Sequence, residues 1–375
     1  MTNSGSSTDV VICGGGVIGA AVAYYLGKRG VRSVIVEADA VASGASGAAA
    51  GLLSPPPVAG DGVPPDELRR RGFEMHEELA ETLPAESGVE FAFARNRRVA
   101  IAATEEQEQA LRAMAERGSA LGRQLEWMDA AAVTALCPWI DRPGRGGVVG
   151  EPAGQLDPYR YTLALVAAAE SAGAAVRSGR VTGIAQSGGR VTGVEVGETT
   201  VAAGAVVVAM GPWSIDAGSW LGTPVPVEPL KGQIVRVRSP EALEPFGFTY
   251  GGDYVATKED GIVFLGTTEE RRGFDNGTTV EARDSILAFA TQFSSVLGEA
   301  ELVEQTACLR PLSLDELPMI GPVPGLDGAY VATGHGRQGI LMSPPTGRAI
   351  ADLIVDGETD CLDLDPFDPA RFSEG

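Results

Sequence analysis

Histidine and cysteine are scarce in this chain, two and four residues among 375. His76 and His335 stand far apart, and Cys13, Cys137, Cys308 and Cys361 include no close pair. That excludes a CxxC redox centre, a zinc cluster and a histidine-rich metal site, so no metal is expected. Widely spaced cysteines suit a reducing cytoplasm. Basic residues are in deficit too: 29 Lys and Arg face 50 Asp and Glu, for a net charge of -21. Such a molecule repels polyanions, so neither nucleic acid nor an anionic membrane is an expected partner. Any basic site for an anionic substrate has to be built locally. The segment Met1–Thr8 lacks the positively charged start of a signal peptide. The apolar run Val10–Leu26 is long enough to resemble a membrane span, but three consecutive glycines near its start favour strand, turn and helix.

What remains is an ordinary globular composition, 44% apolar and 21% charged, with length enough for two domains and a large core. Val10–Cys13 reads as a buried strand, Gly14–Gly19 as a turn, Ala20–Arg29 as a helix ended by Gly30, and Ser33–Val36 as a second strand closed by Glu37. This is a βαβ unit. A small-residue stretch, Ser43–Gly51, and a Pro/Gly-rich loop, Pro55–Pro65, follow. Helices are expected over Asp66–Leu83, Thr104–Ala120, Tyr159–Ala172, Glu281–Val296 and Ile340–Val355. Arg142–Gly154 is glycine-rich and reads as a boundary. Ala205–Met210 and Tyr330–Thr333 are further buried strands of nucleotide-fold type, whereas Ile234–Val237 and Ile262–Leu265 suggest a different sheet. The expected organisation is interleaved: residues 1–90, 151–221 and 305–375 as one domain, residues 91–150 and 222–304 as the other.

Gly14, Gly16 and Gly19 satisfy GxGxxG. Alone that is a weak signal in so glycine-rich a chain, but here it follows a buried strand and opens a helix. The first glycine permits the tight turn, the second admits a pyrophosphate, and the third lets helix and strand approach. Val17 and Ile18 lie at the helix N-terminus, whose unpaired N–H groups suit a diphosphate. Glu37, followed by Ala38, would accept hydrogen bonds from ribose hydroxyls and disfavour the 2′-phosphate of NADP. NAD and FAD both satisfy these residues. The small residues Ala45, Ser46, Ala49, Ala50 and Gly51, followed by Leu52 at the cofactor, would let a long extended cofactor pass, with Ser46 near its second phosphate. A second GxGxxG, Gly334, Gly336 and Gly339, again sits between strand and helix.

With these segments, Met210–Ser214, Lys231-Gly232-Gln233, Leu309-Arg310-Pro311 and Gly334–Ile340, nearly the whole chain resembles a known family. It is that of the glutathione-reductase-like amino-acid oxidases, including D-amino-acid, glycine and sarcosine oxidases, with the glycine oxidase branch nearest. The resemblance implies an α/β fold: a Rossmann FAD domain with an interleaved α+β substrate domain on an antiparallel sheet. It makes the cofactor FAD. It carries cofactor contacts to Val181, Gly211, Trp213, His335, Gly336, Gln338, Gly339 and Ile340, and sets the second turn against the flavin. It also puts Arg310 and Arg337 beside flavin and substrate, with Tyr254 bonding the same substrate carboxylate.

A guanidinium can hold a carboxylate by a bidentate pair. Each arginine could instead form a surface ion pair, and Tyr254 could be a packed strand aromatic. Cys308 stands where the sarcosine oxidase branch attaches its flavin covalently, but its neighbours differ, so a non-covalent flavin is expected. Phe264 stands where that branch has its oxygen-activating lysine. The implied reaction is oxidation of a C–N bond in glycine, sarcosine or a D-amino acid. Hydride passes to flavin N5, the imine is hydrolysed, and O2 reoxidises the flavin to give peroxide. No Ser/His/Asp triad is apparent, and none is needed once the amine is neutral and oriented. The same residues would serve a dehydrogenase or subunit passing electrons to a quinone or partner, a biosynthetic oxidase of an N-substituted amino acid, or a flavin- or NAD-binding protein without amino-acid chemistry. A homo-oligomer is compatible with all of these.

Overall fold

The structure, a computed structural model, describes residues 8–54, 64–120, 123–244 and 246–373. Two sheets organise them. The first has eight strands, with Met319–Pro322, Ala329–Thr333, Thr199–Val208, Thr8–Cys13, Ser33–Glu37 and Ala175–Ser178 in spatial order. Four successive pairings, from Ala329–Thr333 to Ala175–Ser178, are parallel. Helices must then cover both faces or other strands must do so, and a continuous apolar run is the strand signature. Val10, Val11, Ile12 and Cys13 accordingly are all buried. The run suggestive of a membrane span divides into this strand and the helix Val17–Lys28. No helix among the described residues is long and apolar enough to cross a membrane.

The second sheet has nine strands and is largely antiparallel. Its main path runs from Glu301–Ser313 through Val227–Arg238, Ile262–Gly266, Asp253–Thr257 and Gly247–Tyr250 to Ala94–Ala102, Gly146–Gln155 and Leu52–Leu53. The expected α/β architecture is therefore present, with two departures in detail. The glycine-rich stretch read as a boundary at Arg142–Gly154 is mostly the strand Gly146–Gln155, paired with Ala94–Ala102 and with Gln124–Asp129. Its glycines serve crowding: a Cβ at Gly147 or Gly150 would collide with a neighbouring strand. Of the expected loop Pro55–Pro65, residues 55–63 lie outside the described ones, and Pro64 and Pro65 open a helix that runs to Ser87.

Alternation divides the second sheet by face. Val99, Ile101, Phe248, Val255, Val263, Leu265, Val235 and Val237 point one way, into a core completed by Ile286, Ala290 and Phe293 of the helix Val280–Phe293. Arg98, Tyr254, Phe264 and Ile234 have the opposite parity, in register across the strands.

The helix Gly339–Val355 contains Pro344 and Pro345, which have no N–H to offer the carbonyls of Ile340 and Leu341. The helix Pro64–Ser87 fills both gaps. His76 Nε2 donates to the Ile340 carbonyl at 2.8 Å, joined by Ser343 Oγ at 2.8 Å. Gly72 packs against Leu341 so closely that a Cβ would lie 2.1 Å from its oxygen. Burial lowers the His76 pKa from its ordinary 6.5 to about 4. A depressed folded value means that the unfolded chain binds the proton more readily. The contribution is thus full above pH 6.5 and is lost as pH falls toward 4, by at most about 3 kcal/mol. His76→Gln keeps an N–H donor but does not titrate. Denaturant melts from pH 7.5 to 4.5 should show the wild type losing more stability than this variant, and parallel losses would refute the assignment.

Candidate active site

One cavity of about 1140 Å³ joins the two sheets. At its first end Gly14 adopts φ +109°, and a Cβ there would lie 2.4 Å from the Ala209 oxygen. A Cβ on Gly19 would lie 2.1 Å from the Gly14 oxygen. Gly19 alone among the expected cofactor residues does not line the cavity; its work is to bring helix and strand together. Glu37 accepts from the Gly15 N–H at 2.6 Å and the Asp39 N–H at 2.9 Å. Those bonds fix its carboxylate and leave lone pairs for ribose hydroxyls. Ser46 Oγ accepts from the Val17 N–H at 2.9 Å, which fastens the small-residue segment to the helix start and leaves the hydroxyl proton for a phosphate. That segment is not wholly extended, because Ala45–Ala48 forms one helical turn. Ala38, Ala49, Ala50, Gly51, Leu52 and Val181 continue the lining.

At the other end Gly211 and Trp213, in a 3₁₀ turn, face the segment His335–Ile340. The second glycine motif is a short 3₁₀ turn, Gly336–Gln338, running into the helix that starts at Gly339. His335 is buried, bonded through Nε2 to Thr346 Oγ1 at 3.1 Å, and desolvation lowers its pKa to about 3. It is therefore neutral near pH 7. A site of this volume, lined by a carboxylate and a helix start on one part and a glycine turn on another, fits a dinucleotide.

The three expected substrate residues also line this cavity but differ in state. Arg310 is 9% exposed. It donates to the Thr268 carbonyl at 3.2 Å and to Thr267 Oγ1 at 2.7 Å, and no carboxylate pairs with it among the described residues. Its guanidinium lies over Gly232, where any Cβ would strike it. Burial lowers its pKa, opposed in part by nearby Cys308. Arg337 is more exposed and already paired, to Glu269 at 2.9 Å and to the Gly252 carbonyl at 3.0 Å. Without substrate it therefore has the surface ion pair that its sequence context allowed. Burial pushes the Tyr254 phenol up to about 12, against the influence of Arg310 and Arg337, so it remains a donor near neutral pH. The Cys308 thiol is raised by burial, with Arg310 opposing.

Lys258 beside the cavity, and Arg98 and the exposed Arg180 on its wall, escaped the sequence reading. Lys258 Nζ donates to the Ala50 carbonyl at 2.7 Å, tying the antiparallel sheet to the small-residue segment, and burial lowers it to about 8. It sits 5.2 Å from the Phe264 ring centre. Counting by twos from Tyr254 puts it at the parity of Tyr254, one residue past the end of the strand Asp253–Thr257. Arg98 also lines the cavity, bonded to Ser54 Oγ. Nothing local marks it, because it ends the run Arg95-Asn96-Arg97-Arg98, which reads as solvated.

A two-sheet protein with this dinucleotide cradle beside a buried arginine is a nucleotide-dependent redox enzyme in its architecture. The family model described as FAD dependent oxidoreductase matches residues 9–353, and the chain belongs to that family. FAD is therefore its cofactor. The chain is 33% identical to a glycine oxidase of Geobacillus kaustophilus, over 97% of each chain. It is 30% identical to hydrogen cyanide synthase subunit HcnC of Pseudomonas aeruginosa, over 97% of this chain and 96% of the other. A crystal structure of glycine oxidase from Geobacillus kaustophilus superimposes with a TM-score of 0.92 at 31% identity, covering 97% of this chain and 99% of that one.

Hydrogen bonds to a charged group are worth about 1.5–3 kcal/mol each. Glu37→Ala should therefore weaken FAD binding by roughly 10- to 100-fold, seen as substoichiometric flavin and in fluorescence titration of the apoprotein. Unchanged affinity would remove Glu37 from the cofactor site.

Proposed function

We propose that the protein oxidises the C–N bond of a small amino acid or amine, of the glycine, sarcosine or D-amino-acid type, to an imine that water hydrolyses. We further propose O2 as the electron acceptor, giving peroxide. The observation that carries this reading is Arg310: a buried guanidinium on the wall of the cofactor cavity, without a carboxylate partner among the described residues. Isolated buried charge is costly, and an anionic ligand supplies the missing partner. Similarity to the Geobacillus kaustophilus glycine oxidase supports the reading. FAD, when bound, supplies an acceptor for two electrons and the Cα hydrogen.

The side chains have binding and orienting roles. Arg310 holds the substrate carboxylate by a paired hydrogen bond, and Tyr254 donates a further one. Thr267 and Thr268 fix the guanidinium before substrate arrives, so little rotamer freedom is lost on binding. Arg337 approaches from the rim, where a substrate carboxylate competes with Glu269. We assign cofactor binding to the parallel sheet with its helices and substrate binding to the antiparallel sheet. The strand Glu301–Ser313, which spans the expected boundary at 304/305, has its ladder with Val227–Arg238 of the antiparallel sheet and carries Arg310 into it, while Leu312 bridges to His335. The similarity to a hydrogen cyanide synthase subunit favours a second reading, in which a partner takes the electrons. Four free cysteines support a reducing cytoplasm as the location.

Anaerobic bleaching of the yellow enzyme by a panel of glycine, sarcosine and D- and L-amino acids tests the reaction, and failure of every member would sink it. Oxygen uptake separates the two acceptors. Removing one partner of a buried charged pair costs about 2–5 kcal/mol. Arg310→Met should therefore lower kcat/KM on the order of 100-fold or more, and Arg337→Met, at an exposed and already paired group, markedly less. Equal losses would contradict the distinct roles given to the two.

A further inference from the structure

Arg98 is left over when the reading above is complete. Its Nη1 reaches Ser54 Oγ, but Nε and Nη2 are buried with no hydrogen-bond partner. No carboxylate pairs with it among the described residues. Arginine has five donors in a rigid fork, and buried donors are normally satisfied. A guanidinium left unfilled in a chain with 50 acidic residues is not explained by any shortage of partners. It lines the same cavity as Arg310. Register puts it on the same face of the sheet: Arg98 pairs with Gly247, Gly247 with Ala256, and Tyr254 is the next same-face residue along that strand. Arg98 and Tyr254 are two strand spacings apart across the sheet and two residues apart along it, about 12 Å between backbones, and both line the cavity. Tyr254 bears electrostatically on Arg98 and is itself influenced by Arg310, so it lies near both guanidinium groups.

We propose that Arg98 anchors a second anionic group of the substrate, so that the enzyme acts on small amino acids carrying a further acid group. This rests on the reading that Arg310 and Tyr254 hold the α-carboxylate. With Arg337 neutralised by Glu269, the cavity presents two unpaired buried guanidinium groups to be matched by two acid groups. The Arg98 fork suits a planar carboxylate or a phosphonate. The second acid is carried either on the side chain or on a substituent of the nitrogen, at a distance glycine cannot span.

The test uses the holoenzyme with matched pairs: D-glutamate against D-norvaline for the side-chain position, and N-(carboxymethyl)glycine against N-ethylglycine for the nitrogen substituent. Anaerobic flavin reduction and steady-state rates are measured for the wild type, Arg98→Met and Arg98→Lys. In the wild type the diacid of at least one pair should exceed its monoacid at least 10-fold in kcat/KM. Arg98→Met should lower that ratio at least 30-fold, mainly through KM, and Arg98→Lys should restore part of it. Titration of the flavin spectrum with glutarate should show the same loss of affinity in Arg98→Met.

If neither pair favours its diacid in the wild type, the proposal fails even if the methionine variant cannot be purified. It fails also if Arg98→Met depresses both members of a pair equally, which would make Arg98 a support of fold or flavin. If monoacids bleach the flavin and diacids do not surpass them, the second subsite alone is lost. If no amino acid or amine bleaches it, the oxidase reading falls first.

Discussion

The alternation of side chains along the antiparallel sheet is the constraint on which the site depends. A strand has a period of two, so one choice of register decides which residues are core and which meet the ligand. Here that choice gives Val99, Phe248, Val255, Leu265 and Val235 to the core under Val280–Phe293, and Arg98, Tyr254 and Ile234 to the cavity. A slip of one residue in Asp253–Thr257 would bury Lys258 with the valines and turn Tyr254 away. The core holds the cations in place because exchanging the faces would expose the apolar face and desolvate charges together.

This division explains how much of the molecule was legible beforehand. The dinucleotide end is local: Gly14, Gly16, Gly19 and Glu37 fall within one βαβ unit, and each residue type is required by the backbone that carries it. Arg310 and Arg337 could be located only through a family resemblance, because their neighbours in space come from Thr267, Thr268, Glu269 and Gly252. Arg98 was beyond reach. Its environment is assembled from Ser54 and the Asp253–Thr257 strand, and the adjacent arginines give it the look of a surface residue. Gly146–Gln155 misled for a related reason. Glycine there relieves crowding between two partner strands, and a single sequence does not distinguish that from a flexible boundary.

The helix Gly339–Val355 shows the same dependence on distant partners. Two consecutive prolines inside a helix argue for a break. The helix continues because His76 and Gly72, more than 260 residues earlier in the case of His76, satisfy or closely cover the carbonyls that the prolines leave free. This helix begins at the turn Gly336–Gln338 on the wall of the cavity, so its integrity bears on the cavity as well as on the core.

The acidity of the chain poses a last question: how a protein of net charge -21 could take an anionic substrate of the kind proposed. The answer lies in where the charges are. Exposed carboxylates are screened beyond about 8–10 Å at physiological ionic strength. A guanidinium inside a cavity is screened much less and acts at contact distance. What matters is therefore that carboxylates are kept from Arg310 and Arg98, and the sheet does this with neutral groups, Thr267, Thr268 and Ser54, at the positions nearest to them. Arg337 has no such guard and takes Glu269. The difference between an anchor and a surface ion pair in this cavity is thus set less by the arginine itself than by the uncharged residues the fold places beside it.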